Sequence, residues 1–419
     1  MSNQQKIYLL AFMSFLVGTS QYIIVGVLDQ IATSLNISLS KAGQLVSVYA
    51  LASAIGAPLI IMVTARMSQK AQLILSLIIF IIGIFAMLLF QSYLLIVISR
   101  MIIGAGAGVF IVIAYGISAQ LAEKGKQGVA MANIAMGFSL ALVLGIPLGR
   151  MITAVANWQT IFWMIGILSL LCLVVVHKSI PKTLSQTPIA LRVQLAYLKQ
   201  PKILSALGVT FLFFISYAVI NTYIMPLLFS IRTISEHEIS TILLALGITS
   251  FIGTKLAGFL ADHVGIAPTL IGSMLLSCVM LVLLLLVSHS LILTSLLLLI
   301  WISAAWTFGP AQSIHLAFIA PETSGILLSL NISFVQFGFA TGAALGGISI
   351  AHLPIHSLYG IAIFFCVNGT LSVTLFAKMA LKILYTYERV IIFSQGVFDG
   401  HIPSTLQRRT HSNYFGKMC

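Results

Sequence analysis

Few residues in this 419-residue chain are equipped for acid–base, nucleophilic or metal chemistry. The acidic ones are Asp29, Glu123, Glu236, Glu238, Asp262, Glu322, Glu388 and Asp399. Each falls at the end of an apolar run, in a loop or in the C-terminal tail, away from the depth at which a membrane protein keeps a proton-carrying acid. Cys172, Cys278, Cys366 and Cys419 have neither metal nor redox spacing. No Gly-rich loop with Lys-Ser/Thr is present to cradle a phosphate, and no Ser–His–Asp cluster is suggested. An enzyme is therefore not expected, nor a cofactor or metal. Among the amides and large aromatics that the apolar stretches hold are Gln21, Tyr217, Asn221, Trp301, Trp306, Gln312, Asn331 and Gln336. Tyr217 and Asn221, four apart, share one helix face. Amides with tryptophans bind rather than transform. They suit a flat, neutral, hydrogen-bonding solute such as a nucleobase, nucleoside or aromatic drug.

These residues sit in a chain built for lipid. It is 60% hydrophobic and 7% charged, with a mean hydropathy of +1.12, which predicts a polytopic helical membrane protein. Twelve stretches are long enough to cross a bilayer: 7–28, 42–65, 72–90, 94–120, 128–153, 160–176, 203–229, 239–261, 268–287, 291–316, 324–351 and 356–384. The first lacks a small-residue cleavage site and is followed by more spans, so it reads as a helix and not a signal peptide. The longest connection, 177–202, carries His177, Lys178, Pro181, Lys182, Pro188, Arg192, Lys199, Pro201 and Lys202. It separates a six-helix half (1–176) from a second one (203–384). A tail at 385–419 follows, expected to be cytoplasmic and poorly ordered; a shifted reading frame near the gene's end also accounts for it.

The net charge of +13 is scattered over flanking loops, without the basic stripe that a phosphate backbone requires, so nucleic acid is not an expected partner. A cytoplasmic N-terminus puts Lys6, Arg66, Lys70, Lys124, Lys126, the linker cations, Lys378, Lys382, Arg389, Arg408, Arg409 and Lys417 inside. Only Lys41, Arg150 and Arg232 then lie outside, as the positive-inside rule requires. Both termini are expected in the cytoplasm.

Residues 137–149 read G-F-S-L-A-L-V-L-G-I-P-L-G. Gly145, Pro147 and Gly149 would break a soluble helix, yet membrane helices tolerate them and small residues let a facing backbone approach. A bend combined with a close-packing seam, starting at Gly137, suits a helix that pivots against another. Arg100, inside the fourth stretch, either faces a cavity or partner or snorkels to the interface. Lys255 in the eighth either snorkels or neutralises an anionic substrate.

Two six-span halves around a central loop resemble the major facilitator superfamily. Residues 56–70, G-A-P-L-I-I-M-V-T-A-R-M-S-Q-K, and 253–265, G-T-K-L-A-G-F-L-A-D-H-V-G, sit in equivalent places and look like its cytoplasmic loop signature. Asp262 and Gly265 keep the pattern; the first copy keeps Arg66 but has Ala65 where Asp is usual. This implies a latch that breaks in one transport state. S-R-M-I-I-G-A-G-A-G-V-F (99–110) resembles the superfamily's Arg-plus-glycines motif, and 137–149 its antiporter signature. The stretches V-G-T-S-Q-Y-I-I-V-G-V-L-D-Q-I-A, A-G-Q-L-V-S-V-Y-A-L, N-W-Q-T-I-F-W, G-P-A-Q and N-I-S-F-V-Q-F-G-F-A-T-G-A-A-L-G-G are similar to the bacterial drug:proton antiporters, especially arabinose-efflux-like and purine-efflux-like exporters.

The resemblance implies twelve transmembrane helices in two pseudo-symmetric halves, a bacterial inner-membrane location, and export by proton antiport with alternating access. It places the substrate among helices 1, 4, 7 and 10, with help from 5, 8 and 11, and this is what makes Gln21, Tyr217, Asn221, Trp301, Trp306, Gln312, Asn331 and Gln336 the expected substrate contacts. A small solute, protons and the bilayer are the expected partners of a monomer. One departure stands out: Gln21 occupies the place where this branch usually has Glu. Coupling then falls to Asp29 or to a histidine such as His315, or the protein is an uncoupled facilitator. A transport-dead homologue acting as a sensor or interaction protein is the alternative from another class.

Overall fold

The computed structural model describes residues 1–90, 92–123, 126–181, 196–287, 290–319 and 323–374. Among them, twelve helices are long and apolar enough to cross a membrane. They are α1 (Asn3–Gly26), α2 (Leu39–Val63), α3 (Gln69–Leu89), α4 (Tyr93–Leu121), α5 (Gln127–Val155) and α6 (Trp158–Ser179). The second half supplies α7 (Pro201–Thr222), α8 (Glu236–His263), α9 (Ile266–Val287), α10 (Leu291–Ile319), α11 (Gly325–His352) and α12 (Ser357–Thr374). The expected twelfth span is described only to Thr374, and the tail at 385–419 and linker residues 182–195 lie outside the described residues. The face where α1 begins is the near face, and the face where it ends the far face.

Helix ends follow local chemistry. Ser2, Ser38, Ser68 and Ser235 each precede a helix and accept a hydrogen bond from the backbone N–H three residues on, satisfying a donor that the first turn leaves open. α8 stops at Gly265, whose φ of 103° belongs to the left-handed region that glycine enters without penalty. Two expected spans are shorter than their apolar runs because each breaks at its far end. α1 breaks at Val27 before a short helix, Leu28–Ser34; α7 breaks at Tyr223 before Ile224–Phe229. In α7 the cause is Pro226, which has no N–H to offer the carbonyl four residues back. In α5, Pro147 has the same effect, and the chain widens into one π turn over Ala141–Gly145.

The first half packs α1 on α5, α2 on α4, and α3 on α4 and α6; in the second, α7 lies on α11, and α10 on α8 and α9. The halves meet along two seams, α2 with α11 and α5 with α8. Exchanging the halves exchanges these seams, which is the signature of internal pseudo-symmetry.

Candidate substrate site and far-side clasp

Four of the residues singled out in sequence converge on one place. Tyr217 on α7 stacks on Trp301 of α10, with ring centroids 5.3 Å apart at 18°. The Trp306 indole N–H donates to the Tyr217 hydroxyl at 3.1 Å, and that hydroxyl donates to Asn221 Oδ1 at 3.2 Å. Phe339 of α11, which no sequence signal marks, closes the ring edge-on at 5.6 Å. Tyr217, Asn221 and Trp306 line a cavity of about 30 Å³ whose opposite wall is Val25, Leu142 and Ile146 of the first half. That volume holds about one water molecule. The aromatic platform and its polar edge therefore belong to the second half, and the first half presses against them.

A second junction crosses the halves beside it. Gln336 on α11 donates to Ser53 on α2 at 3.2 Å, and its Oε1 accepts from Gln21 on α1 at 3.5 Å, the outer limit of a hydrogen bond. The Ser47 hydroxyl donates to the Ala340 carbonyl. Gln21 and Gln336 thus hold each other across the seam.

Towards the far face a clasp forms around Arg150, which the charge pattern of the sequence marks only as an outside cation. Its guanidinium is 1% exposed. It donates to both Asp29 oxygens at 2.8 and 3.1 Å, to both Glu236 oxygens at 2.8 and 2.7 Å, and to the Gly26 carbonyl at 3.1 Å. All five N–H groups of the side chain are used. Arg150 and Asp29 belong to the first half; Glu236 opens α8 of the second. Beside it Gly43 of α2 lets the Tyr223 ring through, and the Tyr223 hydroxyl donates to the Ala343 carbonyl at 2.9 Å. The signal that could expose the clasp is present in the sequence: an arginine inside an apolar span demands a counter-charge.

At the near face no ion pair joins the halves among the described residues. Arg66 and Asp262 lie at the ends of α2 and α8 and form no ion pair among the described residues. The far face thus carries a cross-half ion pair, and the aromatic cluster lies between it and the near face.

The comparisons with known proteins agree. Residues 10–230 and 206–382 match the Major Facilitator Superfamily. The chain belongs to the major facilitator superfamily. A Bacillus subtilis (strain 168) relative, the uncharacterized MFS-type transporter YbcL, is 42% identical over 85% of this chain and 92% of its own. The inner membrane transport protein YdhP of Escherichia coli (strain K12) is 29% identical over 82% and 88%. The fold is that of solved superfamily structures. A D-xylose-proton symporter superposes with a TM-score of 0.72 at 18% identity, covering 88% of this chain and 96% of its own. The nucleoside transporter NupG does so with 0.71 at 14%, covering 89% and 99%. The protein is thus a multi-pass membrane transporter of the facilitator type and not an enzyme.

In this facilitator the remaining residues singled out in sequence fall outside the central platform. Gln312 donates to the Ala206 carbonyl at 2.7 Å and to the Thr210 hydroxyl at 3.1 Å, and that hydroxyl donates to Asn331 Oδ1 at 2.8 Å. All three are buried, and together they tie α7, α10 and α11. His315 is half-buried near the near-face end of α10, and its Nδ1 has no hydrogen-bond partner among the described residues. Asp29 is no bare end residue, being held by Arg150, and it borders a far-face recess of about 520 Å³. Lys255 lies exposed with its ammonium 4.8 Å from the Phe251 ring centre. The glycines of 137–149 face α1: a side chain at Gly137 would strike the Ala11 backbone, at Gly145 Thr19, and at Gly149 Ile23. They seat α5 within its own half, while Leu142 and Val143 on another side of the helix meet Gly247 of α8. Arg100 does not snorkel: it is fully buried between α1, α2 and α4.

Proposed function

We propose that this transporter exports a small, flat, hydrogen-bonding organic solute across a bacterial inner membrane by rocking its halves about the Tyr217–Trp306 platform. The observation that carries this reading is the convergence of Tyr217, Asn221, Trp301 and Trp306 against the seam between the halves. Stacked indole and phenol rings with an amide edge accept a planar solute and orient it by one or two hydrogen bonds. With the N-terminus in the cytoplasm, the near face is cytoplasmic. The Arg150 clasp then guards the outer exit, and Arg66 and Asp262 belong to the inner latch.

Likeness of the motifs to drug:proton antiporters supports exchange for protons. In that case Asp29 and Glu236 are the carboxylates placed to respond: protonating either one weakens its hold on Arg150 and frees the outer exit. Gln21, which cannot carry a proton, favours a second reading, an uncoupled facilitator. Efflux of labelled hypoxanthine, adenosine and chloramphenicol from energised cells, with and without a protonophore, decides. Protonophore-sensitive efflux supports antiport; efflux that only follows the solute gradient makes the protein a facilitator. No flux above an empty-vector control across a broad solute panel would leave the sensor reading in its place.

A further inference from the structure

The two buried arginines of the first half are treated in opposite ways. Arg150 has both far-face carboxylates and every N–H satisfied. Arg100 is 0% exposed and has no carboxylate partner among the described residues. Its Nη1 donates to the Ser20 carbonyl at 2.9 Å and its Nε to the Leu45 carbonyl at 3.4 Å, and the Tyr49 ring lies 4.5 Å beneath the guanidinium. Among the described residues its Nη2 has no hydrogen-bond partner, and neither has the buried Ser20 hydroxyl. Gln21, the next residue, is neutral. Carbonyls and a ring face solvate a cation in part, but they leave a whole positive charge inside an apolar half. A water molecule would satisfy Nη2 and still leave that charge.

We propose that Arg100 is an anion site, and that the cargo supplies its counter-charge as a single small negative group held by Nη2 and the Ser20 hydroxyl. A guanidinium presents N–H pairs matched to a carboxylate and also takes a halide. The site lies next to the central junction, since Ser20 precedes Gln21, whose amide meets Gln336 on α11, three residues before Phe339 of the platform. The inference deepens the transporter reading by assigning a charge to what is carried. The negative group has two sources: a carboxylate on the planar solute itself, or chloride accompanying a neutral one.

The test is ligand-dependent thermal unfolding of the full-length protein in detergent at constant ionic strength, titrated with benzoate, its neutral isostere benzamide, and chloride replacing gluconate. The expected result is a saturable rise in Tm with benzoate or chloride and none with benzamide. Response to benzoate that chloride does not mimic assigns the solute's carboxylate; response to chloride alone assigns the inorganic ion. Arg100→Lys keeps the charge and retains part of the effect. Arg100→Gln weakens apparent affinity by at least about tenfold, the loss expected for a charge-assisted hydrogen bond.

A wild-type protein that answers benzoate, benzamide and chloride alike overturns the proposal, whether or not any variant folds. An undiminished response in Arg100→Gln overturns it too. Solute flux without any anion response sinks this inference alone, whereas anion binding without flux of any solute sinks the transporter reading and keeps the site.

Discussion

At the scale of single residues, the second half holds two polar clusters of similar composition with different duties. Tyr217, Asn221 and Trp306 end on a cavity between the halves; Gln312, Thr210 and Asn331 end on one another. Tyr217→Phe removes the hydroxyl that both accepts from Trp306 and donates to Asn221. It is expected to weaken binding of the carried solute about five- to tenfold with little change in Tm, as read by equilibrium binding of labelled solute. Thr210→Val should do the reverse. It leaves Asn331 Oδ1 without its donor and Gln312 with one fewer acceptor, costing about 1–3 kcal/mol of stability while solute affinity holds. A Thr210→Val protein that melts normally yet binds solute poorly would bring Gln312 and Asn331 back into the site.

At the scale of elements, α5 carries the conflict between close packing and a regular backbone. Its glycines allow α1 to approach so closely that no side chain fits at Gly137, whereas a methyl group at Gly128, on the same helix, would meet nothing within 4 Å. The same substitution therefore has opposite outcomes nine residues apart. Gly128→Ala should leave stability unchanged or raise it by up to about 1 kcal/mol through helix propensity. Gly137→Ala drives a methyl group onto the Ala11 carbonyl and should cost about 1–3 kcal/mol. Paired thermal melts in one detergent check both; equal Tm values would mean that α1 and α5 are less tightly seated than their backbones indicate. The wide turn over Ala141–Gly145 follows from Pro147, and within it Leu142 and Val143 meet Gly247 of α8 while Gly145 stays against Thr19 of α1.

At the scale of the molecule, the clasp joins the two halves by charge at the far face. Its cross-half component is Glu236, which is 46% exposed, so screening holds its contribution to about 1 kcal/mol. That is enough to shift the ratio of closed to open forms about fivefold. Glu236→Gln should accordingly raise labelling of a cysteine placed at Ile146, on the cavity wall, by an impermeant maleimide added from the far face. Asp29→Asn, whose partner is in its own half, should raise it less. Equal labelling in wild type and Glu236→Gln would remove the clasp from the gating scheme.

Much of this protein was legible in its sequence. Unbroken apolar runs cannot be buried in water-soluble form, so composition determined a helical membrane protein. The repeated loop signatures at 56–70 and 253–265, together with the glycine motifs, pointed to a facilitator of two related halves. Helical period also put Tyr217 and Asn221 on one face. What period does not carry is which neighbour covers that face. Trp306 reaches Tyr217 across 89 residues, and Arg150 reaches Asp29 and Glu236 across 121 and 86. Gln312 resembles Gln21 in type but ends in a sealed network. Only the tertiary structure decided these matters, because helix pairing depends on where small residues let backbones meet. That depends on both partners at once, and no single stretch of sequence contains both.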